Sequence, residues 1–170
     1  MRWLRSATSR RSADIMHPGP EAWHEAGHAL IAHALGGSVR EVTLESERDG
    51  HDGHTAVEWL RVTTDEEARR QATVALAGPV AELTLHDEEI VDNPNVLSSW
   101  RGDWDVAEAE LTRLHPDAAE REAALRAILR ELYAFFEDER NREALARVAD
   151  ALDAHQTLDE ALFADALEVA

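Results

Sequence analysis

The pattern His24-Glu25-Ala26-Gly27-His28 constrains the fold of this chain more than any other feature of its sequence. Two histidines four residues apart lie on one face of a helix, so both imidazoles can bind the same tetrahedral ion. Glu25 lies about 100° further round the helix axis, too far to replace a histidine but close enough to reach a water molecule beside the ion. Chance produces such a pattern in roughly one comparable chain in twenty, so its context must support a metal site.

The apolar residues that follow the second histidine supply part of that context. Ala29, Leu30 and Ile31 suit a buried helix, where two histidines without a partner would be costly. The alternative is a pair of histidines on a solvent-exposed face. If the two histidines instead bind a zinc ion, the ion would lower the pKa of a bound water molecule toward about 7. Glu25 would accept the proton of that water during its attack on a carbonyl. A catalytic zinc also needs a third protein ligand, and the candidates are carboxylates further along the chain.

Composition excludes several other classes of function. The chain has no cysteine, so it can form neither disulfides nor thiolate metal sites. Acidic residues outnumber basic ones 35 to 17, and a formal charge of −18 argues against nucleic acid as a partner. All the basic residues are arginine, which excludes a Walker A phosphate loop within this sequence. No apolar run is long enough for a membrane span or a signal peptide, and we expect a cytoplasmic protein.

The domain organisation predicted from the sequence is simple. Residues 18–170 are expected to form one domain of the α+β class, mainly helical, with a small antiparallel sheet and a C-terminal helical bundle. Residues 1–17 are expected to be a flexible basic arm. Two β-like runs, 38–46 and 55–62, are separated by turn-forming residues and predict a hairpin with a long loop.

Helical periodicity predicts three helices before the bundle, over about 21–35, 65–85 and 102–114. Pro79 is expected to bend the second helix or divide it in two. Capping boxes are expected to begin the second and the last helix, at Thr64-x-x-Glu67 and Thr157-x-x-Glu160. Two apolar stripes predict the core of the bundle: Leu125, Ile128, Leu129 and Leu132, then Leu145, Val148, Ala149 and Leu152.

The sequence resembles the peptidase domain of the FtsH-type ATP-dependent zinc metalloproteases through three motifs in order. They are His24-Glu25-Ala26-Gly27-His28-Ala29-Leu30, then Leu76-Ala77-Gly78-Pro79-Val80-Ala81-Glu82, then Gly102-Asp103-Trp104-Asp105-Val106-Ala107. The resemblance covers about residues 21–114, and the C-terminal helices match only in character. Many metallopeptidases share the first motif, but the three together are fairly specific.

The resemblance implies that His24 and His28 are metal ligands, that Glu25 is the general base and that Asp103 is the third ligand. By residue type alone, an aspartate at the start of a helix is equally well an N-cap. Asp105 is the alternative ligand if the helix has a different register.

Glu82 follows small residues that let its helix approach the histidine helix closely. Its carboxylate either orients a ligand histidine, which we favour, or is itself the third ligand. The remaining alternative is a solvent-exposed glutamate without a role in the site.

In the family, an exposed strand edge near the metal pairs with an extended peptide. The resemblance implies that role for residues 55–60, with Thr55, Ala56 and Val57 contacting substrate. The loop histidines His51 and His54 are assigned no role.

The expected function is hydrolysis of flexible or unfolded polypeptides by a zinc metalloendopeptidase without its own ATPase. These 170 residues contain no ATPase module, which departs from the family, so substrates would be already unfolded or delivered by a separate unfoldase or ATPase partner. The alternative is a catalytically silent zinc-binding module that binds a partner or regulates another protein. The intact Glu25 argues against it, because a binding module has no chemical need for the base.

Overall fold

A computed structural model of the chain describes residues 18–45, 53–60, 63–85 and 100–168. Within these residues there are six helices and three strands, in the order α1 (Pro20–Ala34), β1 (Ser38–Thr43), β2 (His54–Glu58), α2 (Thr64–Leu85), α3 (Arg101–Leu114), α4 (Ala118–Glu137), α5 (Glu139–His155), β3 (Thr157–Asp159) and α6 (Glu160–Leu167). The predicted α+β, mainly helical class is confirmed. The predicted basic arm and His51 lie outside the described residues.

The sheet is antiparallel with the strand order β2-β1-β3, so β2 is an edge strand of the sheet that the described residues form. The predicted hairpin is confirmed by the pairing of β1 with β2, which is interrupted by a register shift between Val39 and Glu41. The third strand was not predicted. Thr157 does not cap the last helix but pairs with Thr43, and their hydroxyls are 2.6 Å apart. Because β3 has only three residues, it is too short to show an alternating pattern.

The predicted helix caps need correction at two places. Asp159, rather than Thr157, caps α6, because its carboxylate accepts a hydrogen bond from the backbone N–H of Leu162 at 2.9 Å. Thr63, rather than Thr64, caps α2, because its hydroxyl accepts from the backbone N–H of Glu66 at 3.3 Å. Thr63 lies one residue before its predicted box and Asp159 lies inside the other box, two residues after Thr157; in both cases the hydrogen bonds of the first turn decide which residue is the cap.

Pro79 does not divide α2, which is one helix from Thr64 to Leu85. A proline inside a helix removes one hydrogen bond and costs about 3 kcal/mol. The side chains around it are fully buried, namely Leu76, Ala77, Val80 and Ala81. Burying each larger apolar side chain contributes roughly 1.5–3 kcal/mol, so packing against α1 outweighs the loss.

The core extends from the contact between α1 and α2 into the C-terminal bundle. The predicted stripe in α5 is confirmed, since Leu145, Val148, Ala149 and Leu152 are all fully buried. In α4, Ile128 and Leu132 are buried, and the two other members of the predicted stripe pack partly buried against the core. Among the described residues, no helix is long and apolar enough to cross a bilayer.

We expect Gly27→Ala to destabilise the protein by about 1–3 kcal/mol, because α1 and α2 are in direct contact at this residue. A Cβ atom on Gly27 would lie 2.5 Å from the Cβ of Ala81 and 2.8 Å from the carbonyl oxygen of Ala77. Urea unfolding measures the loss. Gly102→Ala is the matched control, since a Cβ there meets no atom within 4 Å, and it should cost nothing. Equal stabilities of the two variants would contradict this account of the contact.

Candidate metal centre

The two histidines of α1 lie side by side on the face of the helix that is turned toward α2. Their Nε2 atoms are 3.1 Å apart and the ring planes are nearly perpendicular, at 82°. His28 is 8% exposed, and the side chain of His24 is 15% exposed. The helix places the two rings together because residues i and i+4 are neighbours on its surface.

Asp103, in the first turn of α3, brings a carboxylate to the same point. Its Oδ2 lies 2.9 Å from Nε2 of His24, and its Oδ1 lies 3.6 Å from Nε2 of His28. The residue does not cap its helix, since α3 begins at Arg101 and has no side-chain cap. Asp105, the alternative ligand, is exposed. The structure therefore brings Asp103, and not Asp105, to the two histidines.

The other nitrogen of each ring has a hydrogen-bond acceptor, and this fixes where the ring protons are. Nδ1 of His28 lies 2.7 Å from the carbonyl oxygen of Val74, which can only accept. Nδ1 of His24 lies 3.2 Å from the carboxylate of Glu82, which also accepts when ionised. Both Nδ1 atoms are therefore assigned a proton, and both Nε2 atoms direct lone pairs toward each other and toward Asp103. Such a cluster of acceptors requires a cation between them, either a proton or a metal ion.

Glu25 completes the group of donor atoms. Ligand atoms of His24, Glu25 and His28 all lie within 4.8 Å of one another, which is compatible with a bound metal ion. Glu25 is 5% exposed, and the hydroxyl of Thr55 donates a hydrogen bond to its Oε2 at 3.0 Å. The backbone of Gly53 lies against the same carboxylate, since a Cβ there would be 2.5 Å from Oε1. The start of β2 thus covers and orients Glu25.

The charges of the site shift the pKa values of three of its members. Burial alone would lower the pKa of His24, but hydrogen bonds to Asp103 and Glu82 and the surrounding negative charge outweigh it and raise this pKa to about 9. Burial would raise the pKa of Asp103, but hydrogen bonds to the two histidines outweigh it and hold this pKa below its usual range. Burial raises the pKa of Glu25, although both histidines and Thr55 oppose the shift.

Glu82 reaches the site from α2, on the side of His24 away from Asp103. Its Oε2 accepts from Nδ1 of His24 and also from the indole N–H of Trp100, at 2.7 Å. In this position the carboxylate orients the imidazole rather than adding a fourth ligand atom at Nε2. The indole N–H of Trp100 was not predicted to take part in the site, and its closeness to Asp103 in the chain was the available signal.

Gly78 lets the backbone of α2 pass directly beside the two rings. A Cβ atom at this residue would lie 2.5 Å from Nε2 of His28 and 2.8 Å from Cδ2 of His24. Any side chain at residue 78 would therefore occupy the space where the histidine nitrogens converge. The small residues that the sequence shows before Glu82 have this specific use at the metal centre.

A groove of about 390 Å³ opens from the metal centre along β2. Its polar part is formed by the site itself and its surroundings, namely Glu25, His28, Asp103, Gly53, His54, Thr55 and Gln71. Its apolar part is formed by Val57, Trp59, Val74, Ala75 and Val106. Of the three residues predicted to contact substrate, Thr55 and Val57 line the groove and Ala56 does not. His54, which was assigned no role, also lines it.

We expect metal binding near pH 7.5 to release about one proton per ion. His24 is mostly protonated below its pKa of about 9 and must lose that proton to bind metal through Nε2. The apparent affinity should therefore rise about tenfold per pH unit toward pH 9 and then level off, since the competing proton is gone. Calorimetry in buffers of different ionisation enthalpy measures the number of protons. His33→Ala, at the exposed end of α1, should leave that number unchanged, and a count near zero in the parent protein would contradict the assignment.

The chain was also compared with known proteins. No protein-family model matches it, and no curated protein is significantly similar to it in sequence. Its function is therefore inferred from the side chains that converge at the metal centre and from the groove that leads to them.

Proposed function

We propose that this protein is a zinc-dependent metallopeptidase that hydrolyses peptide bonds in flexible or unfolded polypeptides. The observation that carries the proposal is the convergence of His24, His28 and Asp103 on one point, with Glu25 beside them. This point lies at the wall of a groove bordered by an edge strand. Such a site suits attack of water on the carbonyl of an extended chain.

The donor set fits zinc. Two imidazole nitrogens and one carboxylate oxygen are typical of catalytic zinc sites, which leave the fourth position open. Zn–N bonds of about 2.0–2.1 Å in a tetrahedron separate the ligand atoms by about 3.3 Å. The Nε2 atoms are 3.1 Å apart and the Asp103 oxygens lie 2.9 and 3.6 Å from them, so small movements suffice to bind the ion.

In the proposed mechanism, each residue has a distinct task. When bound, zinc acts as a Lewis acid that acidifies a water molecule and polarises the substrate carbonyl. Glu25 accepts a proton from the water as its oxygen bonds to the carbonyl carbon, and gives the proton to the nitrogen as the C–N bond breaks. The raised pKa of Glu25 brings the base closer to neutrality, which favours both transfers. Thr55 holds Oε2, which leaves Oε1 to receive the proton.

The substrate class follows from the groove and from β2. An edge strand can pair with an extended peptide by backbone hydrogen bonds, and such pairing requires a segment that is not already folded. The apolar side chains of Val57, Trp59 and Val106 provide contact for a peptide in that position. The resemblance to the FtsH-type peptidase domain supports the same substrate class, with the unfolding of any folded substrate supplied from outside these residues.

Cleavage of an unfolded protein by the purified chain tests the proposal. We expect cleavage of a reduced and alkylated protein in the presence of zinc, loss of cleavage after a chelator, and recovery on adding zinc but not magnesium. The same protein in its folded form should be cut far more slowly. Chelator-resistant cleavage, or zinc-independent cleavage, would contradict a zinc mechanism.

One observation favours a second candidate, a zinc-binding module without catalytic activity. Glu25 is 5% exposed beneath Gly53 and Thr55, so only a small part of its carboxylate is open to an attacking water molecule in the groove. A module of this kind would bind a partner through the groove. Stoichiometric zinc together with no cleavage of any member of a broad unfolded-peptide library would favour it over the peptidase.

A further inference from the structure

We propose that Trp100 is a positioning residue of the metal centre: its indole N–H holds the carboxylate of Glu82 on Nδ1 of His24. The inference rests on the metal site of the proposed function, but not on peptidase activity. Trp100 contacts neither substrate nor the reacting atoms in this account. It acts through Glu82 on the imidazole that presents Nε2 to the ion.

One oxygen atom of Glu82 connects the tryptophan to the histidine. Oε2 accepts from the indole nitrogen at 2.7 Å and from Nδ1 of His24 at 3.2 Å. The first distance is at the short end of the range for N–H···O bonds, as expected for a carboxylate acceptor. Because an indole N–H can only donate, Trp100 stabilises the ionised form of this carboxylate. It thereby favours the tautomer of His24 that keeps a proton on Nδ1.

Burial makes this hydrogen bond specific. Trp100 is 3% exposed, whereas the side chain of Glu82 is 21% exposed. A buried indole nitrogen without an acceptor would cost about 1–3 kcal/mol, so the ring orientation is fixed by its partner. A phenylalanine could fill much of the same space, but it could not donate to Glu82.

The position of Trp100 in the chain gives the contact a second effect. Trp100 immediately precedes α3, and its carbonyl oxygen accepts from the backbone N–H of Trp104 at 3.0 Å. Asp103 lies within that first turn. The indole bond therefore ties the turn that carries one ligand to Glu82, which orients another ligand. A single side chain thus fixes His24 and Asp103 relative to each other.

Trp100→Phe tests the inference by removing the donor while keeping an aromatic ring. We expect metal affinity, measured by competition with a chelating dye, to fall about tenfold, as is typical when an outer partner of a ligand histidine is lost. The visible spectrum of the Co²⁺ form should change as well. Trp104→Phe is the matched control, because that indole makes no hydrogen bond to the described residues, and its affinity should stay within about twofold of the parent. In a Glu82→Ala background, Trp100→Phe should have little further effect, since the indole then has no side chain at residue 82 through which to act.

Affinity and Co²⁺ spectrum unchanged in Trp100→Phe would overturn the inference. A measurement without metal tests the role of Trp100 separately from the proposed function. At about pH 10, imidazole ¹⁵N chemical shifts should show that the neutral ring of His24 carries its proton on Nδ1 in the parent protein. In Trp100→Phe they should show a mixture of the two tautomers. If that variant does not fold, the indole N–H resonance of Trp100 in the parent protein should move in Glu82→Ala, and an unmoved resonance would overturn the contact. Absence of metal binding by the parent protein counts against the proposed function, and the tautomer still decides the role of Trp100.

Discussion

Glu25→Gln is expected to lower kcat/KM for an unfolded peptide by roughly 10²–10⁴-fold while one zinc ion stays bound per chain. Glutamine has nearly the size of glutamate, and its amide oxygen can still accept from the hydroxyl of Thr55. The amide cannot accept a proton from the attacking water, so the chemical step alone is lost. Cleavage of a quenched fluorescent peptide gives the rate, and metal analysis of the same sample gives the zinc content.

Glu21→Gln is the matched control for this experiment, because Glu21 is an exposed glutamate in the first turn of the same helix. It should leave both the rate and the zinc content unchanged. Undiminished cleavage by Glu25→Gln would exclude the glutamate as the general base. Loss of zinc from that variant would instead show that Glu25 is a ligand, as the 4.8 Å grouping of donor atoms allows.

Asp103→Ala is expected to weaken zinc binding by more than the 10–100-fold that is typical for loss of an outer-shell partner. The reason is that Asp103 alone, among the described carboxylates, lies against Nε2 of both histidines. Glu82→Ala should fall within the 10–100-fold range, because its carboxylate accepts from Nδ1 of His24, the ring nitrogen that faces away from the proposed metal position. Chelator competition measures both affinities.

Asp105→Ala is the control for both substitutions, since Asp105 is exposed two residues from the proposed ligand. Its affinity should equal that of the parent protein. A larger loss in Glu82→Ala than in Asp103→Ala would assign the third ligand to Glu82. A loss in Asp105→Ala would mean that α3 binds metal in a different register.

The local features of the fold were predictable because they depend on neighbours in the chain. The helix that carries His24 and His28 and the apolar stripe of α5 follow from helical periodicity, and the structure has both. The hairpin of β1 and β2 follows from two β-like runs separated by turn formers. The predicted helix caps were wrong at α2 and α6, where Thr63 and Asp159 are the caps. Neighbouring polar residues can each cap the same helix, and the sequence does not show which of them does.

Contacts between distant residues were not predictable from local patterns. His28 donates to the backbone carbonyl of Val74, and a carbonyl has no signature in a sequence. The covering of Glu25 by Gly53 and Thr55 depends on how the hairpin folds back over α1. β3 joins the sheet only because the chain returns to β1 after the C-terminal bundle.

The sequence by itself determined that His24, Glu25 and His28 share one helix, because a spacing of four residues fixes their relation whatever surrounds them. It also named Asp103 as a candidate through a resemblance, while leaving an N-cap as an equal reading of the residue type. Only the tertiary structure decided which carboxylates meet the imidazoles, since Asp103 is 79 residues from His24 and arrives through the packing of α3 on α2. The hydrogen bond from Trp100 to Glu82 also depends on tertiary structure. It forms where the start of α3 lies beside α2, and no local sequence pattern predicts that contact.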